Sequence, residues 1–110
     1  MKILHIDSSI QGERSISRTL STAVVAQLCV LAPGSQVVYR DLAAAPLPQF
    51  TTEIAAAVYA ADNATTDMHA ASPLRDALNE VLAAETIVIG APMYNFSVPS
   101  QLKSWLDAIA

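Results

Sequence analysis

Two short stretches of the chain concentrate side chains able to do chemistry. The first is Ser8-Ser9-Ile10-Gln11-Gly12-Glu13-Arg14-Ser15-Ile16-Ser17, with four serines, one glycine and the pair Arg14 and Arg18 beside them. It leads into a helical pattern, and the start of a helix offers unpaired N–H donors and a partial positive charge, which suit a phosphate. Serine hydroxyls add donors without the bulk of lysine. The plainer alternative is that Ser15 or Ser17 only caps the helix, and the residue types leave both readings open. The second stretch is Pro92-Met93-Tyr94-Asn95-Phe96, which carries no phosphate pattern but supplies flat side chains and an amide. Such aromatics are more often core than ligand wall, but at the mouth of a central strand they can line a pocket. Together the two loops suit a ligand with a phosphate at one end and a planar ring at the other.

The elements that must position these loops are legible from periodicity. Ile3-Leu4-His5-Ile6 is a short apolar run ended by Asp7-Ser8-Ser9, which predicts a strand and a polar loop. Ser17 to Ala32 predicts a helix, with Leu20, Val24, Leu28 and Leu31 at helical spacing and Pro33-Gly34 as a stop. Gln36-Val37-Val38-Tyr39-Arg40 reads as a second strand. Ala43 to Pro48 reads as a loop, Thr52 to Ala61 as a short helix, and Asp62 to Asp67 as a polar turn. A further helix is expected from Ser72 as N-cap and Pro73 at its first position, with Leu74, Ala77, Leu78, Val81 and Leu82 on one face. Thr86-Ile87-Val88-Ile89-Gly90 is apolar without alternation, the mark of a parallel strand covered on both faces. After Ser97 and Pro99, Leu102, Trp105, Leu106 and Ile109 recur at i, i+3, i+4 and i+7, predicting a last helix.

Strand, helix, strand, helices, strand, helix is the order of an open α/β sheet with right-handed crossovers. In such sheets ligands bind beyond the carboxyl ends of the strands, which is where both loops fall. Other chemistries lack their residues. GxxxxGK[ST], GxGxxG and GxSxG are all absent. Asp7 at the end of a strand invites comparison with phospho-acceptor aspartates, but one carboxylate followed by two serines is a poor Mg²⁺ site. His5 and His69 do not pair at metal-ligand spacing, so no metal is expected.

The bulk composition agrees with one domain. In 110 residues, 53% are hydrophobic and 15% charged, enough for a layered core. The net charge of −4 provides no basic stripe for a nucleic-acid backbone. No apolar run approaches the ~20 residues of a membrane span, and His5, Asp7 and the serines interrupt any signal-peptide core after Met1. Cys29 is the only cysteine and reads as a packing residue in a helix. A cytoplasmic protein is expected.

Ser8-Ser9 with Ser15-Ile16-Ser17, Asp41-Leu42 with Pro46, and above all Ala91-Pro92-Met93-Tyr94-Asn95-Phe96 with Gln101-Leu102-Lys103 resemble the FMN-dependent NADH:quinone oxidoreductases, also called FMN-dependent azoreductases. The resemblance runs the length of the chain and covers about the first half of a family member. It implies the flavodoxin-like doubly wound parallel sheet, here its N-terminal part with three strands in the order 2-1-3. It also implies that Ser9, Ser15 and Ser17, with the backbone of Ile16 between them, bind the FMN phosphate. Met93, Tyr94, Asn95 and Phe96 would line the flavin, which carries the redox chemistry, so no catalytic side chain is implied. In the family NADH or NADPH reduces the flavin, which then reduces a quinone or azo compound in a ping-pong cycle, and the protein is a homodimer.

No helix-ending residue follows Ala110, and Ile87-Val88-Ile89 would form a bare edge in a three-stranded sheet. The expectation is therefore the N-terminal portion of a longer flavoenzyme. Two other readings stand beside it: a non-enzymatic half-domain acting through self-association, and an FMN electron carrier.

Overall fold

In a computed structural model the chain forms three parallel strands flanked by helices. The structure describes residues 1–47, 68–93 and 98–109, the side chains of Glu13 and of residues 68–72 excepted. The strands are β1 (Lys2–Asp7), β2 (Gln36–Asp41) and β3 (Thr86–Gly90), and the helices are α1 (Ile16–Leu31), α2 (Met68–Ala83) and α3 (Ser100–Ile109). The sheet order is β2-β1-β3, as expected from the sequence. The expected helix over Thr52–Ala61, the turn over Asp62–Asp67, and the residues Tyr94, Asn95, Phe96 and Ser97 lie outside the described residues.

Register divides the sheet into two chemically different faces. Leu4 lies beside Val38 and Ile87, and Ile6 beside Arg40 and Ile89. Leu4 and Ile6 belong to the main core with Leu42, Leu47, Ala77, Leu102 and Trp105, so this face meets α2 and α3. Each buried leucine or isoleucine among them contributes about 1.5–3 kcal/mol. On the other face His5 lies beside Tyr39 and Val88, and Asp7 beside Asp41 and Gly90. That face begins with the buried Ile3, turns polar towards its carboxyl end, and meets α1.

The polarity of this second face corrects the helical stripe expected for α1. Ser21 and Val25 are buried, whereas Leu20, Val24 and Leu31 are exposed. A helix above His5 and Asp7 turns a hydroxyl inward to meet them, which rotates the leucine and valine stripe onto its flank. Ser15 caps α1, its Oγ accepting the Arg18 N–H, so the helix begins one residue before the expected Ser17. The Ala32 N–H closes the other end on the Leu28 carbonyl at 2.9 Å. The Pro33-Gly34 stop holds, Gly34 turning the chain at φ +84°.

The start of α2 is also corrected. It runs from Met68, so Pro73 lies inside it rather than at its first position. Met68, Ala70 and Ala71 are strong helix formers, and they carry the helix upstream although Pro73 lacks one N–H donor. Of the expected inward face, Leu74 and Ala77 are buried and Val81 packs on the core, while Leu78 and Leu82 are exposed. Arg40 reaches from β2 to Glu80 of α2, with Nε 2.7 Å from Oε1. In α3, Leu102 and Trp105 are buried and Ile109 packs on the core, while Leu106 is exposed. The buried Pro99 opens this helix, its carbonyl accepting the Lys103 N–H at 3.0 Å.

Candidate functional site

The carboxyl ends of β1, β2 and β3 are level at Asp7, Asp41 and Gly90. The loop leaving β1 is tied to β3 at once, because the Ser8 hydroxyl donates to the Gly90 carbonyl at 2.7 Å. Ser9 Oγ accepts the Gln11 N–H at 3.2 Å. Gly12, at φ +58°, then enters a single 3₁₀ turn over Gly12–Arg14, a conformation that favours glycine. Ser15 leaves that turn extended, with Oγ 3.2 Å from the Arg18 nitrogen and 3.0 Å from Ser17 Oγ.

The structure thus bears out the capping reading of Ser15 and draws Ser15 and Ser17 into direct contact. Ser9 and Ser15 are buried and Ser17 is half-buried. The N–H groups of Ile16 and Ser17 are the first two of α1 and have no acceptor within the helix. The Ile16 side chain faces solvent, so its contribution to an anion can come only from the backbone. Hydroxyls and helix-start N–H groups form a donor set suited to a phosphate.

Beneath this loop lies a polar network that sequence reasoning missed. Asp7 is 2% exposed. Its Oδ1 accepts the Ser21 hydroxyl at 2.6 Å and its Oδ2 accepts the Tyr39 hydroxyl at 2.8 Å. Ser21 Oγ lies 2.9 Å from His5 Nε2, and with its own proton committed to Asp7 it accepts from that nitrogen. The His5 and Tyr39 rings meet edge to face, with centroids 4.8 Å apart. Arg18 closes the network. Its guanidinium makes a fork on Asp41 at 2.8 and 2.9 Å, takes the Tyr39 oxygen at 3.0 Å, and donates twice to the Ser9 carbonyl at 2.6 and 3.1 Å.

These contacts shift the titrating groups in consistent directions. The hydrogen bond from Arg18 holds the Asp41 carboxyl below its ordinary value, helped by the N–H groups of Ala44 and Ala43 and opposed by burial. The same bond raises Arg18. Tyr39 is pushed up to about 12, first by burial and then by its hydrogen bond to the Asp7 carboxylate. The signal that reveals the network is register: His5 and Asp7 on β1 match Tyr39 and Asp41 on β2, while Arg18 and Ser21 stand three apart on α1.

Gly90 is the point where β3 meets this network. A Cβ there would stand 2.5 Å from Asp7 Oδ1, 3.2 Å from the Ser17 carbonyl and 3.3 Å from Ser21 Oγ. Glycine therefore lets β3, Asp7 and the first turn of α1 approach closely. Beyond Gly90 the chain continues through Pro92 to Met93, whose side chain is 71% exposed at the same end of the sheet. The other three residues expected at the flavin, Tyr94, Asn95 and Phe96, fall outside the described residues. Among the described residues no group of acidic, histidine or cysteine side chains could hold a metal ion, and no helix is long and apolar enough to cross a membrane.

A parallel β2-β1-β3 sheet, with helices on both faces and the serine loop and Met93 at its carboxyl end, defines a doubly wound α/β domain of flavodoxin-like design. The sequence profile described as "Flavodoxin-like fold" matches residues 1–110, and the chain belongs to that family. It is 49% identical over 111 residues to an FMN-dependent NADH:quinone oxidoreductase of Sinorhizobium medicae (strain WSM419), covering 100% of this chain and 54% of that protein. The chain thus spans about half the length of the curated relatives it matches. The azoreductase from Bacillus anthracis str. Sterne superposes with a TM-score of 0.87 at 23% identity, over 100% of this chain and 55% of that one. An FMN-dependent NADH-azoreductase from Bacillus anthracis str. Ames Ancestor, solved in complex with FMN, superposes with a TM-score of 0.82 at 21% identity, over 99% and 55%.

Proposed function

We propose that this chain supplies the FMN-phosphate half of an FMN-dependent oxidoreductase that uses NADH or NADPH to reduce quinones or azo compounds. The observation that carries the reading is the donor set at the start of α1: Ser15 and Ser17 hydroxyls 3.0 Å apart, beside the first N–H groups of the helix, those of Ile16 and Ser17, which have no acceptor within it. The likeness to curated FMN-dependent NADH:quinone oxidoreductases, continuous through both loops, supports the choice of FMN among phosphate-bearing ligands. Bound FMN would supply the two-electron chemistry, alternating between nicotinamide donor and quinone or azo acceptor in a ping-pong cycle.

The residues of this chain have narrower tasks. Ser9, Ser15, Ser17 and the Ile16 backbone hold the phosphate. Met93, Tyr94, Asn95 and Phe96 form the loop along the flavin. Gly90 keeps β3 close enough to β1 for the two loops to serve one ligand. A homodimer in the cytoplasm, acting on small molecules rather than nucleic acid or membrane, completes the proposal.

The test is a titration of the purified chain with FMN and riboflavin, followed by flavin fluorescence, and then NADH consumption with and without a quinone. FMN binding much tighter than riboflavin binding supports the phosphate site. Quinone-dependent NADH oxidation assigns an enzyme, and FMN binding without it assigns a carrier or a binding half. Equal weak binding of both flavins overturns the reading.

A further inference from the structure

Arg18 stands beside a candidate anion site, where an arginine would ordinarily be read as a ligand of the phosphate. Its hydrogen bonds argue otherwise. A guanidinium has five N–H donors, and the five are committed: Nε and Nη2 to the Ser9 carbonyl, Nη1 and Nη2 to the two Asp41 oxygens, and Nη1 to the Tyr39 oxygen. The side chain is 17% exposed. To reach an anion it would have to abandon a bond already made. The backbone of the same residue holds the other end of the loop, since the Arg18 N–H is the donor that Ser15 Oγ accepts. One residue therefore fixes both Ser9 and Ser15, the first and the next of the proposed phosphate serines.

We propose that Arg18 is a positioning residue, which braces the Ser9–Ser15 loop for an anion it does not touch, and that Asp41 and Tyr39 act on the anion site through it. The five-way fit explains why the elements are arranged as they are. Asp41 is held by the N–H groups of Ala43 and Ala44 at 3.0 and 3.2 Å, so its carboxylate is a fixed platform at the end of β2. Tyr39 is anchored on the buried Asp7, which fixes the hydroxyl that Arg18 meets. The loop is thus referenced to β1 and β2 rather than left to its own turn.

The inference rests on the serine loop being the FMN phosphate site, and the two can fail separately. Arg18→Lys keeps the charge but loses the fork, and Asp41→Asn keeps the shape but releases the guanidinium. If Arg18 were a phosphate ligand, lysine would retain much of the attraction as a point charge, and Asp41→Asn would tighten FMN by removing a carboxylate and freeing donors. If it positions the loop, both variants weaken FMN on the order of tenfold while riboflavin affinity changes little. Amide hydrogen exchange of residues 9–17 in the flavin-free chain gives a readout independent of any flavin. Both variants should accelerate exchange in the loop while β1 keeps its protection; Tyr39→Phe, which retains the ring, should do so more weakly. Loop exchange unchanged in Arg18→Lys and Asp41→Asn overturns the inference, as does tighter FMN binding by Asp41→Asn. Failure of the unmodified chain to bind FMN overturns the functional reading alone, and the exchange result still decides the role of Arg18.

Discussion

Replacing Gly90 with alanine should damage this protein out of proportion to the one methyl group added. The new Cβ would lie 2.5 Å from Asp7 Oδ1, roughly 0.7 Å or more inside ordinary van der Waals contact. Asp7 has little freedom to retreat, because Ser21 and Tyr39 hold its two oxygens at 2.6 and 2.8 Å. On the other side the methyl meets the Ser17 carbonyl at 3.2 Å, which is backbone in the first turn of α1. Overpacking of this kind costs about 1–3 kcal/mol, and losing a hydrogen bond to a carboxylate costs about 1.5–3 kcal/mol. One displacement relieves part of both, so a total of about 2–4 kcal/mol is expected. For a chain of this size that lowers Tm by roughly 10–25 °C. Thermal and urea unfolding followed by circular dichroism measures it. Gly34→Ala is the control: φ is +84° but nothing lies within 4 Å, so only the backbone penalty of about 1–2 kcal/mol applies. Combining Gly90→Ala with Ser21→Ala should cost less than the sum, since the bond broken by the first is already missing in the second. A Tm loss smaller than that of Gly34→Ala, or strict additivity with Ser21→Ala, would refute the steric argument.

Ser15→Ala with Ser17→Ala should weaken FMN by a few kcal/mol, each lost bond to a charged acceptor contributing about 1.5–3 kcal/mol. Riboflavin should be nearly indifferent, and equal losses for both ligands would place the phosphate elsewhere. Acid should erode stability through Asp41: because its pKa is lowered on folding, its contribution is full above the ordinary value of 3.8 and is lost as pH falls through the depressed one. Urea midpoints measured across that acid range should flatten in Asp41→Asn, and an unchanged slope would remove Asp41 as the cause. The outer edge of β3 carries no strand among the described residues, and Ile87 and Ile89 beside it are 39% and 42% exposed. Such an edge is a template for a second chain, so amide protection of residues 86–90 should fade on dilution. Protection that persists in a stable monomer would count against edge pairing.

How much of this was legible beforehand depended on what each element packs against. β1 announced itself because a parallel strand between helices is apolar on both sides, and Ile3, Leu4 and Ile6 are all buried. β3 carries the same apolar run, but as an edge strand among the described residues it leaves Ile87 and Ile89 exposed, which corrects the expected cover on both its faces. α3 was equally plain, since Leu102 and Trp105 enter the same apolar core that their spacing predicts. α1 misled for the opposite reason. Hydrophobic periodicity locates an apolar partner, and the first half of α1 lies instead over the polar carboxyl end of the sheet, where Ser21 meets His5 and Asp7. The serine loop was legible as a donor set because a helix start needs no tertiary information to be electropositive. Its supports were not, because Arg18 lies 21 and 23 positions before Tyr39 and Asp41 and meets them only once α1 is laid across the parallel β1–β2 pair.

That difference decides how the two serine roles fit together. A hydroxyl used as an N-cap is often treated as spent, yet Ser15 Oγ takes the Arg18 N–H and still lies 3.0 Å from Ser17 Oγ. A serine oxygen has two lone pairs and one proton. With the Arg18 N–H on one lone pair, the proton of Ser15 remains available to Ser17 or to an anion, and the Ser17 proton likewise. Capping and anion binding are then compatible uses of one geometry: the cap sets the Ser15 rotamer, which holds the hydroxyl at the start of the helix while its proton can turn to Ser17 or to an anion. Losing the hydroxyl should therefore cost both helix stability and FMN affinity at Ser15, but affinity almost alone at Ser17, which lies inside α1 and does not cap it. Ser15→Ala and Ser17→Ala compared singly, by Tm and by FMN titration, test that division. If both variants lose the same stability, or if Ser17→Ala alone lowers Tm, the two roles do not divide in this way.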